Sequence, residues 1–248
     1  MLKRRVIIGL MFDDGVLVRT KHFKADYRYT QQFLAVDAID EAILVDITRG
    51  GSSGKSAQAM AAFADRCFAP VTMGGSIKNL DDVARFFDLG ADKVVVGSIL
   101  HSDINIIPKI ACKWGCQAVV AGIETLNGEV MNGRTYGAEN PGQQKLGIGI
   151  SAYARQLEAA GAGEIFLQCV DRDGSLAGFD LPCLGRVVRA VGVPVVVGTG
   201  CGGWRHMQEA FSAGADGAVT HCVHHWTETA LMGFKRGLRA AGVQVRAA

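Results

Sequence analysis

Glu124 is the residue of this chain best placed to move a proton. It ends the apolar run Val119 to Ile123, and burial at a strand end raises a carboxyl pKa toward neutrality, where it serves as general acid or base. Asp46, closing Glu41-Ala-Ile-Leu-Val, and Asp173, inside Asp171-Arg-Asp-Gly-Ser175, are the other carboxylates in comparable positions. Each can take part in catalysis or simply brace its loop as an acceptor. Aligning Gly9-Leu10-Met11 with Gly122-Ile123-Glu124 sets Met11 opposite the glutamate. A thioether neither takes nor gives a proton, so these two positions supply no pair of carboxylates.

Gly74-Gly75-Ser76 with Gly97-Ser98, and Gly198-Thr199-Gly200 with His221-Cys222, are two candidate anion cradles, and Gly174 lies in a further glycine-containing loop. Glycine lets backbone N–H groups approach an anion, and a following helix N-terminus adds a favourable dipole. Taken singly, each stretch reads equally well as a tight turn. Two copies half a chain apart fit a substrate with a phosphate at each end.

Arg5, Glu41, Lys93 and Glu164 share another property, each beginning an apolar strand run. Two cations and two anions at one end of a sheet pair with one another, because unpaired burial is costly. Such a ring works as a stability plug or as a gate. About 20 Å of strand separates Arg5 from Met11 at the usual rise per residue.

Other signals carry less. Gly50 to Ser56 resembles a phosphate-binding P-loop, but the position that should hold the first glycine is Arg49. His221, Cys222, His224 and His225 diverge on a strand end and lack a second ligand cluster, so no metal is expected. Cys112 and Cys116, one helical turn apart, read as packing residues.

The elements that position these residues come in two copies. Pro70, Gly74, Gly90, Ala91 and Asp92 recur as Pro194, Gly198, Gly214, Ala215 and Asp216, a constant offset of 124 positions, half the chain. Strands are expected at Arg5–Met11, Glu41–Asp46, from Pro70, at Asp92–Gly97, Gln117–Ile123, Glu164–Cys169, Val193–Val197 and Asp216–Thr220. Helices are expected at Arg28–Val36, Ser56–Cys67, from Asn79, and at Asp103–Trp114, Ser151–Ala160, Leu181–Ala190, Trp204–Ala213 and Glu228–Ala240. Gly128 to Gly149 reads as one long loop. Eight apolar strands alternating with helices, in two similar halves, predict a (β/α)8 TIM barrel spanning residues 1–248 as one domain, with a doubly wound open sheet as the alternative. In a barrel, function sits at the C-terminal ends of the strands.

With 49% hydrophobic residues and 32 glycines, the chain can bury a large core and make many tight turns. A net charge of +2 points to no nucleic-acid partner. Seven scattered cysteines, without a secretory signal, fit free thiols in a reducing cytoplasm. No run is long enough to span a membrane.

Ile-Leu-Val-Asp46-Ile-Thr48, the Gly-Gly-Ser turn, Gly-Ala-Asp92-Lys93-Val, Gly-Ala-Gly-Glu164-Ile, Asp171-Arg-Asp-Gly-Ser175 and Gly242-Val-Gln-Val-Arg246 together resemble the cyclase subunit (HisF-like) of imidazole glycerol phosphate synthase, in order along the whole chain. The resemblance implies a (β/α)8 barrel with a glutaminase (HisH-like) docked on its N-terminal face as a heterodimer. Ammonia then crosses the barrel to a phosphorylated ribulosyl aminoimidazole carboxamide substrate, and no cofactor is involved. By resemblance Arg5, Glu41, Lys93 and Glu164 are the ammonia gate and Asp92 the interface aspartate. The phosphate positions fall on Gly75, Ser76, Gly97 and Ser98 on one side and Gly174, Gly200, His221 and Cys222 on the other. The family's two catalytic aspartates fall at Met11 and Glu124. An intact entrance with an altered exit resembles the cyclase-like proteins associated with amidation of surface-polysaccharide sugars, which supply ammonia to a separate amidotransferase. The alternatives are an authentic lyase-type cyclase of histidine biosynthesis using Glu124 with Asp46 or Asp173, and a non-catalytic scaffold that activates the glutaminase.

Overall fold

The structure, a computed structural model, describes residues 3–29, 39–49, 54–132, 145–221, 223 and 230–246. Strands run β1 Arg5–Asp13, β2 Val16–Lys21, β3 Lys24–Tyr29, β4 Glu41–Asp46, β5 Val71–Gly74, β6 Lys93–Val96, β7 Val119–Leu126, β8 Glu129–Val130, β9 Glu164–Cys169, β10 Val195–Gly198 and β11 Gly217–Thr220. The described helices are α1 Gly54–Ala64, α2 Leu80–Asp88, α3 Ile106–Trp114, α4 Ile150–Ala159, α5 Leu181–Val188, α6 Trp204–Ser212 and α7 Ala230–Ala240.

β1, β4, β5, β6, β7, β9, β10 and β11 pair in parallel in that order, and β11 returns to β1, with Arg5 against Gly217 and Ile8 against Thr220. The sheet is therefore a closed eight-stranded parallel barrel of the (β/α)8 type. Parallel strands buried on both faces need apolar residues at nearly every position, which the runs supply. Alternation then divides them: Ile7, Ile43, Val120, Phe166, Val196 and Val219 fill the barrel, with Val45 and Val95 against them. Val6, Ile8, Leu10, Ala42, Leu44 and their counterparts face the helices.

The two halves repeat in detail. β5, α2 and β6 have the same bounds as β10, α6 and β11 displaced by 124 residues, and β4 matches β9 displaced by 123. Backbone conformation repeats too: Gly75 (φ +113°) and Ser76 (φ +53°) correspond to Thr199 (φ +69°) and Gly200 (φ +92°). So does bracing: Asp92 accepts from Val71 N at 2.8 Å and Asp216 from Val195 N at 3.0 Å. Asn79 caps α2 through Asp81 N and Asp82 N, as its position before an acidic turn implies.

Three expectations need correction. Arg28 belongs to β3 and not to a helix; β2 and β3 extend from β1 as an antiparallel hairpin layer, and the rest of the stretch expected as helix, residues 30–36, lies outside the described residues. The long loop after β7 begins with β8, antiparallel to β7, and a Met131–Lys145 bridge follows. Cys112 and Cys116 are exposed rather than packed, because both lie on the outer side of α3 and its exit.

Gly75 is the most constrained of the turn glycines, since a Cβ there would meet the Asp46 carbonyl oxygen at 2.1 Å with φ at +113°. Gly75→Ala is expected to destabilise the fold by about 2 kcal/mol or more, because strain and collision coincide. Urea unfolding followed by circular dichroism will measure it.

Candidate functional site

At the N-terminal ends of the strands, Arg5, Glu41, Lys93 and Glu164 form a closed ring. Arg5 Nη1 donates to Glu41 Oε2 at 2.6 Å and Arg5 Nη2 donates to Glu164 Oε1. Lys93 Nζ reaches Glu41 Oε1 at 2.9 Å and Glu164 Oε2 at 2.8 Å, so each carboxylate bridges both cations. Thr72 Oγ1 also donates to Glu41 Oε1, at 3.1 Å. Thr72 stands in no motif, and its only signal in the sequence is a hydroxyl at an inward position of an apolar strand. The carboxylates are almost wholly buried, with side-chain exposures of 3% and 6%, while the cations keep 18% and 19% toward the N-terminal face. Burial alone pulls the Glu164 carboxyl up, but the charges and hydrogen bonds of Arg5 and Lys93 outweigh it and hold it below its ordinary value. For Arg5, burial pulls down and the two glutamates reverse it, keeping the guanidinium charged.

At the opposite end, Met11 and Glu124 stand at inward positions of β1 and β7, two residues beyond Gly9 and Gly122, and are 3% and 8% exposed. Asp46 accepts from Thr48 N at 3.0 Å and from the Thr48 hydroxyl, and its Oδ2 has no hydrogen-bond partner among the described residues. Asp173 accepts from Phe23 N at 2.9 Å and so pins the β2–β3 hairpin to the barrel. Both aspartates are 2% exposed and brace loops. Tyr153 on α4 reaches His101 Nδ1 at 3.2 Å, and burial, followed by the Glu124 charge, raises its phenol pKa. No motif or spacing marked this pair.

The glycine turns divide into two sets on this end. Gly75 lies against the Asp46 backbone, while Ser98 opens a short 3-10 helix capped by Gly97. Gly200 packs on the Gly178 carbonyl, and Gly174 (φ +71°) packs on the Thr20 carbonyl of the hairpin. Cys222 lies outside the described residues. His221 is 7% exposed and its ring turns into the barrel. Neither ring nitrogen makes a well-formed hydrogen bond among the described residues, and the backbone of Gly9 offers a marginal one. An unsatisfied buried polar atom costs about 1–3 kcal/mol. Burial lowers the imidazole pKa against the opposing charge of Asp173, so the ring is neutral near pH 7. No group of three or more metal-ligating side chains occurs among the described residues.

A family model described as histidine biosynthesis protein matches residues 12–228. Imidazole glycerol phosphate synthase subunit HisF of Streptococcus mutans is 32% identical over 256 residues, which cover 99% of this chain and 100% of that protein. The chain belongs to the HisF-like histidine biosynthesis family. The HisF subunit of Streptococcus sanguinis is 31% identical with the same coverage. No helix among the described residues is long and apolar enough to cross a membrane.

The ring has a pH signature. Because the folded Glu164 carboxyl lies below its ordinary 4.5, its stabilisation is fully present above that pH and is lost as pH falls through the folded value. Glu164→Gln removes a partner from both cations and is expected to cost about 3–5 kcal/mol at neutral pH. It should also flatten the acid limb of stability, read as unfolding midpoints across pH.

Proposed function

We propose that this barrel accepts ammonia from a glutaminase (HisH-like) partner on its N-terminal face and carries it to the opposite end for amidation of a surface-polysaccharide sugar. A separate amidotransferase completes the reaction there. The observation that carries this reading is the coexistence of a complete Arg5–Glu41–Lys93–Glu164 ring at one end with Met11 at the other. The ring's cations keep some exposure on the face where a glutaminase would dock, and Asp92, beside Lys93, is the position through which the partner would act. At the mouth, position 11 holds a buried thioether where the family's cyclases carry a carboxylate, and Glu124 stands across from it. Such a site retains two glycine-rich turns suited to the ends of a phosphorylated ligand and lacks half of a proton-transfer pair.

A second reading, an authentic cyclase in histidine biosynthesis, is favoured by the identity to HisF along the full chain. Glu124 would then be its acid or base, with Asp46 or Asp173 as partner. Asp173 is engaged by the Phe23 backbone amide, whereas Asp46 accepts from Thr48 through one oxygen and keeps the other without a hydrogen bond among the described residues.

Turnover of the ribulosyl aminoimidazole carboxamide bisphosphate with ammonium salts separates the two. Loss of one positioned acid or base costs about 10²- to 10⁴-fold in rate, so the proposal expects turnover at least that far below a HisF carrying both carboxylates. A normal rate, abolished by Glu124→Gln, would sink it.

A further inference from the structure

The column of inward-facing side chains changes character between the ion ring and the mouth. Above the ring, Ile7, Ile43, Val120, Phe166, Val196 and Val219 form an apolar plug. The next inward positions on β1, β5, β7 and β10 are all glycine, namely Gly9, Gly74, Gly122 and Gly198. Neighbouring side chains enter the space so vacated, Val95 at Gly74 and Phe166 at Gly198. The imidazole of His221 takes two of the four places. A Cβ at Gly9 would fall 2.2 Å from its Cε1 and Nδ1, and one at Gly198 would fall 3.4 Å from its Nε2.

His221 therefore reaches from the end of β11 across β1 and β10, between the apolar plug and the level of Met11 and Glu124. Among the described residues neither ring nitrogen makes a well-formed hydrogen bond, and only the Gly9 backbone and the Asp173 charge bear on the polarity of the ring.

The geometry points to His221 as an ammonia-binding site inside the barrel, a hydrogen-bonding station between the apolar plug and the mouth. This rests on the reading that ammonia crosses the barrel. A neutral imidazole offers both contacts that ammonia can make, an N–H that donates to the nitrogen lone pair and a bare ring nitrogen that accepts an ammonia N–H. Neutrality matters chemically: an imidazolium would give its proton to ammonia and abolish the nucleophile. Burial holds the ring in the neutral form, and the neighbouring Asp173 carboxylate opposes that effect without overcoming it. Because neither glycine has a Cβ, the ring lies against strand backbone.

The full chain, labelled with ¹⁵N in its histidines, tests this without a partner. Ammonium chloride is titrated at mildly alkaline pH, where free ammonia is present, against potassium chloride at equal ionic strength. The ¹⁵N resonances of His221, assigned by their loss in His221→Asn, are expected to shift saturably with ammonium chloride alone. Resonances that stay fixed, or that move equally in potassium chloride, overturn the assignment. Should His221→Asn fail to fold, changing His22, His101, His206, His224 and His225 to Gln leaves His221 as the one labelled ring. The measurement involves no turnover, so its failure is distinct from failure of the amidation reading. A silent ring removes the station alone, whereas normal cyclase turnover beside a responsive ring removes the amidation reading alone.

Discussion

Closure of the sheet, made by the parallel pairing of β11 with β1, is the constraint on which the rest of this molecule depends. Once closed, every second residue of eight strands faces one narrow column, and that column has little water to solvate a charge. At its N-terminal end, charged residues are accommodated by mutual contact. That is why the two glutamates at the N-terminal ends are each shared between Arg5 and Lys93. Farther along, the same constraint selects valine, isoleucine and phenylalanine, then glycine where neighbouring strands already send side chains inward.

Duplication supplies the frame, and unequal substitution supplies the chemistry. The repeated halves agree wherever backbone geometry is set, in strand bounds, in left-handed turns and in the aspartates that hold Val71 and Val195. They differ where side chains enter the column. Lys93 corresponds to Gly217, and a side chain at Gly217 would meet Ile7 at 2.7 Å and approach Arg5 Nη2 at 3.6 Å. One half thus donates its cation from β6, and the other leaves room for the arginine of β1. The glutamates, Glu41 and Glu164, keep their correspondence. At the mouth the divergence is greater, with Met11 set against Glu124 and Gly97 against His221.

Much of this was legible in the residues. Continuous β-branched runs marked the barrel strands, the 124-residue repeat announced two halves, and Asn79 before two aspartates marked a helix start. The four ring residues stood out because charges at the starts of apolar strands must find partners. The hairpin of β2 and β3 was not legible. Lys24 to Tyr29 is exposed along almost its whole length, so no alternation of burial marked it as a strand. Thr72 was hidden inside an apolar run, and its contact with Glu41 crosses from one strand to the next.

The sequence by itself determined the fold, the duplication and the family, because strand runs, turn glycines and their spacing are local properties repeated along the chain. It also determined which charges had to pair. Only the tertiary structure decided which way each remaining polar group points. Asp46 and Asp173 turn to backbone amides of nearby loops, while His221 turns inward over two glycines. Direction depends on what neighbouring strands leave empty, and those neighbours are brought together only when the barrel closes.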